Sequence, residues 1–92
     1  MHATEMQSRT DGQLLQLFRT ADSQEAVAEL MRRHGRLLFH TAHSVLEDAT
    51  AAQDIAQAAL LILLRKGAKL ENDVSVAAWL HQVVLCLARD ER

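Results

Sequence analysis

The pattern of the segment TAAQDIAQAALLILLRK, residues Thr50–Lys66, predicts a helix with more than one apolar side. Thr50 can cap a helix N-terminus, and Gln53 stands three residues later, where the partner of a capping box belongs. We therefore expect the helix to begin at Ala51. At about 100° per residue, one apolar stripe should face the core, formed by Ile55, Ala59 and Ile62. Ala58 and Leu63 lie on its flanks.

The opposite side of this helix is also apolar in its second half. In chain order, it carries Gln53, Asp54, Gln57, Leu60, Leu61 and Leu64. A helix that is apolar nearly all round is either buried on every side or keeps one side for a partner. The sequence alone leaves both alternatives open.

The composition favours a single all-α domain. Of the 92 residues 49% are apolar and 24% are charged, there is no proline, and only three are glycine, a balance in which helix formers dominate. A single cysteine excludes an internal disulfide framework. The N-terminus lacks the apolar segment of a signal peptide, and no apolar run is long enough for a membrane span. We therefore expect a cytoplasmic protein that does not bind membranes. Because the net charge is −2, any contact with nucleic acid must come from local basic clusters.

Helix start signals divide the chain into a compact bundle of about four helices, a short first one and three longer ones. Residues 1–10 should form a flexible tail and residues 11–92 the domain. Asp11 is predicted to cap a first helix that ends near Thr20. Asp22 and Glu25 are predicted to form the capping box of a second helix that ends near Leu46.

The apolar positions of the second and last helices predict their core-facing sides. In the second helix these positions are Val27, Leu30, Met31, His34, Leu38, Ala42 and Val45. A basic flank beside them should be solvated: Arg32, Arg33, Arg36, His40 and His43. Residues 67–75 should form a loop whose last residue, Ser75, caps the last helix. The core-facing residues of that helix should be Val76, Trp79, Leu80, Val83 and Leu87.

Candidates for catalysis or metal binding are few. His40 and His43 lie one helical turn apart, with Glu47 a turn further, which could bind a metal, but a third firm ligand is missing and a surface role is favoured. Cys86 has apolar neighbours and no histidine base close in sequence, so a small buried or half-buried hydrophobe is favoured over a reactive thiol. We expect no catalytic residue, no metal and no cofactor, and thus no enzyme.

Three segments resemble region 2 of the sigma-70 family, in particular the extracytoplasmic-function (ECF) sigma factors. AQDIAQAALLILLRK resembles region 2.2, through Ala52, Asp54, Gln57 and Leu61. RRHGRLLFHTAHSVLED resembles region 2.1, with matching positions at Arg33, Leu38, Phe39, Ala42, Leu46 and Asp48. VAAWLHQVVLCLARDER resembles regions 2.3 and 2.4, with matching positions at Trp79, Leu80 and Asp90. The resemblance runs from Asp11 to Arg92.

The resemblance implies a sigma2 domain that docks on RNA polymerase core and helps to open the promoter −10 element. In the family, the region 2.2 helix binds the clamp coiled coil of the polymerase β′ subunit. Asp54 and Gln57 would then make polar contacts, and Leu61 and Leu64 apolar ones. If this holds, the polymerase is the partner of the outward side of Thr50–Lys66.

The resemblance also implies contact with the non-template strand of the −10 DNA and capture of an extruded base. The candidates are Lys66, Lys69, Leu70, His81, Gln82, Cys86 and Arg89. The chain departs from the family pattern here, since many members carry asparagine at Cys86, arginine at Gln82 and Leu85, and an aromatic residue at Leu70 and Val76. An acidic residue common at Gln53 and Ala58 is also missing. Polymerase binding is therefore the better supported expectation.

The alternative function is a sigma-like helical interaction module that does not bind DNA. Such a module would form a homodimer through Leu60, Leu61 and Leu64, or bind an anti-sigma factor. No sigma4 domain is present in these residues. A metal-dependent enzyme built on His40 and His43 is the third hypothesis.

Overall fold

The computed structural model describes residues 6–66 and 75–91. Within these residues the chain forms four helices: α1 (Asp11–Ala21), α2 (Gln24–Leu46), α3 (Ala49–Lys66) and α4 (Val76–Glu91). The prediction of an all-α bundle with a short first helix is confirmed. None of the described helices combines the length and apolarity needed to cross a bilayer.

Helix α2 is the centre of the bundle, because it packs against each of the other three helices. Helix α3 packs against both α2 and α4. The largest fully buried side chains come from all four helices and form one core: Leu14, Leu30, Leu63, Leu80 and Val84. Burying a side chain of this size stabilises the fold by about 1.5–3 kcal/mol.

Three of the predicted N-caps are wrong, because each of these helices begins one or two residues earlier or later than expected. Thr10, not Asp11, caps α1 and forms a capping box with Gln13. Asp22 ends α1 in the left-handed conformation, with φ 51°, so Ser23 caps α2 by accepting from the Ala26 N–H.

At the start of α3, Asp48 replaces the predicted cap Thr50. Asp48 Oδ1 accepts the N–H groups of Thr50 at 2.9 Å and Ala51 at 3.2 Å. The predicted cap of α4 is confirmed, since Ser75 Oγ accepts the Ala78 N–H at 3.2 Å. The predicted end of α2 at Leu46 is also confirmed.

The buried face of α3 is rotated from the predicted stripe. Ile55, Ala59 and Leu63 are buried as expected, but Ile62 is only half-buried. The remaining buried positions are Ala52, Ala56 and Leu60. At 100° per residue, the centre of the buried arc lies toward Ala59 and Leu63, so Leu60 faces inward and its predicted place on the outer side is wrong.

Two predictions for the side chains of α2 are also wrong. Met31, predicted in the core, is 46% exposed. Arg33, predicted on a solvated flank, is largely buried and makes contacts to α1 and to the segment before it.

In α4 the buried positions are Val76, Leu80, Val84 and Ala88. Trp79, Val83 and Leu87, which were also predicted to face the core, pack only at its edge.

Arg33 uses every nitrogen of its guanidinium, and two of them connect the N-terminal residues to α2. Nε donates to Glu29 Oε2 at 2.7 Å and Nη1 to Asp11 Oδ1 at 3.1 Å. Nη2 donates to the carbonyls of Met6, Gln7 and Arg9, at 2.9, 3.1 and 2.6 Å. Residues 6–10, which we placed in a tail, are thus held against α2, and residues 1–5 lie outside the described residues.

The same network lowers two carboxyl pKa values. Hydrogen bonds from Arg32 and Arg33 lower the pKa of Glu29 from 4.5 to about 2. The hydrogen bond between His34 Nε2 and Asp11 Oδ2, at 3.0 Å, is the main cause that lowers the pKa of Asp11, with Arg33 adding to it. Both carboxylates therefore favour the folded state when they are ionised.

We predict that Leu63→Ala and Leu61→Ala, on the same helix, differ widely in stability. Leu63 is fully buried and Leu61 is 57% exposed. Leu63→Ala should lower the free energy of unfolding by about 2–5 kcal/mol, and Leu61→Ala should change it by less than about 0.5 kcal/mol. Urea denaturation followed by circular dichroism measures both. Equal losses of stability would show that α3 is rotated differently.

We predict that acid weakens the fold through Glu29. Above pH 4.5 the carboxylate is ionised in both the folded and the unfolded chain, so its contribution is complete. Between pH 4.5 and about 2 the unfolded chain takes up a proton that the folded chain does not, so stability falls. The reduction in stability caused by Glu29→Gln should therefore be largest above pH 4.5 and shrink toward pH 2 in urea titrations.

Glu91→Gln, which removes an exposed carboxylate at the end of α4, is the control for this measurement. It should leave the pH dependence of wild type unchanged. A constant difference between wild type and Glu29→Gln from pH 6 to 2 would contradict the role given to Glu29.

Candidate functional site

The outer face of α3 brings together three of the four side chains predicted to bind a partner. Asp54, Gln57 and Leu61 are all exposed and lie at i, i+3 and i+7 on one side of the helix. Leu64, the fourth, is half-buried and packs against the domain's own core. The outer face thus combines one large apolar side chain with a carboxylate and an amide.

The polar side chains of this outer face are not used by the fold. Among the described residues, neither the Asp54 carboxylate nor the Gln57 amide makes a hydrogen bond or an ion pair. The Leu61 side chain is more than half exposed. Together with Met31 and Leu37, it is one of the few large apolar side chains on the surface of the described residues. A partner could therefore bind this face without disturbing an internal contact.

A second group of predicted residues meets where the end of α3 approaches α4. Lys66 at the end of α3 and Gln82 and Cys86 on α4 line one open groove. The apolar side chains that line it are Ile62, Trp79, Val83 and Leu87. Trp79 and Lys66 provide an aromatic surface and a cation close together, a combination suited to nucleic acid.

The other predicted DNA-binding residues are not part of this groove. His81 and Arg89 are exposed on α4 but do not line it. Lys69 and Leu70 lie outside the described residues. Cys86 is exposed, so its interpretation as a buried hydrophobe is wrong, because the buried arc of α4 is centred on Leu80 and Val84.

The two candidate metal ligands of α2 instead contact an aromatic ring. The His43 ring stacks on Phe39 with ring centroids 5.4 Å apart, and the His40 ring meets it edge-on at 5.5 Å. In the part of the chain that the structure describes, no three His, Cys, Asp or Glu side chains come together around a metal-sized space.

Sequence reasoning missed a groove between α2 and α3. Met31, Gly35, Arg36 and Phe39 line it from α2, and Gln57 and Leu60 are among the residues that line it from α3. Gly35 inside a long helix was the available signal, because a helix interior disfavours glycine unless something must come close.

Comparison with known proteins gives one positive result. Residues 30–92 match the family model for Sigma-70 region 2. No curated protein and no solved structure matches the chain. Region 2 domains of this family are DNA-binding parts of sigma factors that bind RNA polymerase in transcription initiation, and the family is not enzymatic. The match covers α3, α4 and most of α2, well over half of the sequence, and the chain therefore belongs to the sigma-70 region 2 family.

Proposed function

We propose that this domain, of the ECF type, binds the β′ clamp coiled coil of RNA polymerase core through the outer face of α3. The observation that carries the proposal is the exposure of Leu61 beside Asp54 and Gln57 on α3 of a sigma-70 region 2 domain. A coiled coil presents helices, and helix-on-helix docking uses an apolar anchor flanked by polar contacts.

The apolar part of this interface is centred on Leu61. Burying a leucine side chain is worth about 1.5–3 kcal/mol, which corresponds to roughly 10- to 150-fold in affinity. Leu64 contributes less, because the domain's own core already covers part of it. Leu60 contributes no direct contact, because it is buried between α2 and α3.

The polar part of the interface is supplied by Asp54 and Gln57. The carboxylate can accept charge-assisted hydrogen bonds from arginine or lysine of the clamp, which are roughly twice as strong as neutral ones. The Gln57 amide both donates and accepts, so it can pair with backbone or side-chain groups. These contacts set the register of the helices around the Leu61 anchor.

We further propose that α4 and the end of α3 bind the non-template strand of the −10 element and favour promoter melting. Lys66, Gln82 and Cys86 share a groove with Trp79, and Arg89 is exposed on the same helix. Base–aromatic stacking is worth about 1–3 kcal/mol per base, and the cations would hold phosphates. Lys69 and Leu70 would join this surface from the segment between α3 and α4.

The alternative remains a helical interaction module that self-associates or binds an anti-sigma factor without binding DNA. The burial of Leu60 reduces the apolar surface available for a homodimer to Leu61 and part of Leu64. This reduction leaves only a small apolar area for a stable homodimer. Sedimentation of the free domain checks the point, since self-association predicts a dimer that Leu61→Glu dissociates.

We predict that the double variant Gln57→Ala, Leu61→Glu binds a β′ clamp fragment at least tenfold more weakly than wild type. The glutamate places a charge where the anchor should be desolvated, and the alanine removes the amide contact. Isothermal titration calorimetry measures the affinity. The control is Leu37→Glu, which makes the same change at a leucine of α2 that is 59% exposed. Equal weakening by the control, or no weakening by the double variant, would contradict the proposed interface.

We predict salt-dependent binding of single-stranded DNA by the full chain. Removal of one cation that holds a phosphate should reduce the slope of log affinity against log salt by about 0.7 for a single strand. Lys66→Ala should show such a reduction in fluorescence anisotropy titrations at several salt concentrations. Arg36→Ala removes a cation that lines the groove between α2 and α3 and should keep the wild-type slope. Affinity that does not respond to salt would favour the module that does not bind DNA.

A further inference from the structure

Arg65 is an exposed cation on the outer side of α3. It stands at i+4 from Leu61, so at 100° per residue the two side chains lie on one side of the helix, and Arg65 is exposed. Among the described residues, its guanidinium makes no hydrogen bond or ion pair. The outer face of α3 therefore continues beyond Leu61 to a positive charge near the end of the helix.

This outer face has the spacing of a coiled-coil seam. The four predicted contact residues, from Asp54 to Leu64, are separated by three, four and three positions, as the a and d positions of a heptad are. Other side chains of α3 are buried in the bundle: Ala52, Ile55, Ala56, Ala59, Leu60 and Leu63. All of these fall at the b, c, f and g positions of the same heptad, so the buried face and the seam occupy different sides of the helix.

Arg65 takes an e position in this heptad, directly beside the seam. In coiled coils the e and g positions carry the ion pairs between helices, and these pairs determine the choice of partner and the orientation of the helices. The e position one heptad earlier is Ala58, which is small and half-buried. Arg65 is thus placed where a helix that packs along the seam would meet its charge.

Asp54 and Arg65 give the outer face a polarity along the helix. They are eleven residues apart, which corresponds to about 16 Å on a helix and exceeds the Debye length of about 8 Å at physiological ionic strength. The two charges therefore do not neutralise each other. A helical partner with a base at one end of the contact and an acid at the other fits this face in one direction only.

Arg65 also has a role within its own helix. A cation in the last turn interacts favourably with the helix macrodipole, and Arg65 and Lys66 both lie in the last turn of α3. The dipole favours a cation in this turn on any side of the helix, whereas a partner needs it on the outer side. The first role affects the Tm and the second affects affinity, so measuring both on one variant separates them.

We propose that Arg65 forms an ion pair with a carboxylate of the β′ clamp coiled coil and so fixes the direction in which α3 docks. The inference rests on the polymerase interface proposed above, and it specifies the chemistry of the partner: an acidic side chain at Arg65 and a basic one at Asp54. A guanidinium can hold a carboxylate through two parallel hydrogen bonds, which the ammonium group of lysine does not match.

An exchange of the two charges tests the proposal at constant net charge. The variant Asp54→Arg, Arg65→Asp keeps the Leu61 anchor and reverses the polarity of the outer face. It should bind the β′ clamp fragment about tenfold more weakly than wild type, or weaker still, because like charges then meet at both ends. Isothermal titration calorimetry measures the affinity.

Arg65→Ala measures the share of Arg65 alone. It should weaken binding about two- to fivefold, the range of an exposed ion pair, and the loss should shrink at high salt. Arg65→Lys keeps the charge, so it should keep the Tm and recover part of the affinity. The matched control is Arg19→Ala, which removes an exposed arginine from the last turn of α1 and should bind as wild type does.

Two results would overturn the proposal: wild-type affinity in a folded charge-exchanged variant, and equal affinities of Arg65→Ala and Arg19→Ala. If either is found while Gln57→Ala, Leu61→Glu still weakens binding, the polymerase interface stands and Arg65 lies outside it. If neither the charge exchange nor Gln57→Ala, Leu61→Glu weakens binding, the proposed interface is wrong as well. The Tm of each variant shows whether the bundle is folded.

Discussion

The orientation of α3 about its own axis determines which of its side chains form the core and which remain on the surface. Small side chains at Ala52, Ala56 and Ala59 are buried on one face of the helix, and Leu60 and Leu63 fill the core beside them. Close packing leaves little room for another arrangement, because interiors are as dense as organic crystals. With that face fixed inward, Asp54, Gln57 and Leu61 must point outward. The candidate polymerase surface is therefore a consequence of how the core is packed.

The ion network around Arg33 holds α1 and the segment before it against α2. Glu29 and Asp11 pair with the guanidinium, and its remaining donors bind the backbone carbonyls of Met6, Gln7 and Arg9. A largely buried arginine would be costly without these partners. The arrangement fixes α1 and the segment before it against α2.

Local signals predicted the fold well, and the contacts between distant residues explain where they failed. The apolar periodicity and the cap at Ser75 are local properties, and they predicted the four helices and their order.

The rotation of α3 was not predictable from its own residues, because a helix that is apolar nearly all round has no unique inner side. The orientation of α3 depends on which neighbouring helices can pack closely against its alanines. Likewise, Arg33 pairs with Asp11 across 22 residues, a separation at which no short pattern gives a signal. For the candidate site, the resemblance selected Asp54, Gln57 and Leu61, which share an exposed face. The groove between α2 and α3 was not predicted, because it forms only where two helices lie side by side.

The reactivity of two engineered thiols on α3 distinguishes its buried face from its outer face. In a Cys86→Ser background, Leu61→Cys and Leu63→Cys are labelled with a maleimide, with and without RNA polymerase core. We predict fast labelling of Leu61→Cys in the free domain, protection of that thiol when core is added, and slow labelling of Leu63→Cys in both states. Leu61→Cys that reacts equally fast in the presence of saturating core would contradict this prediction.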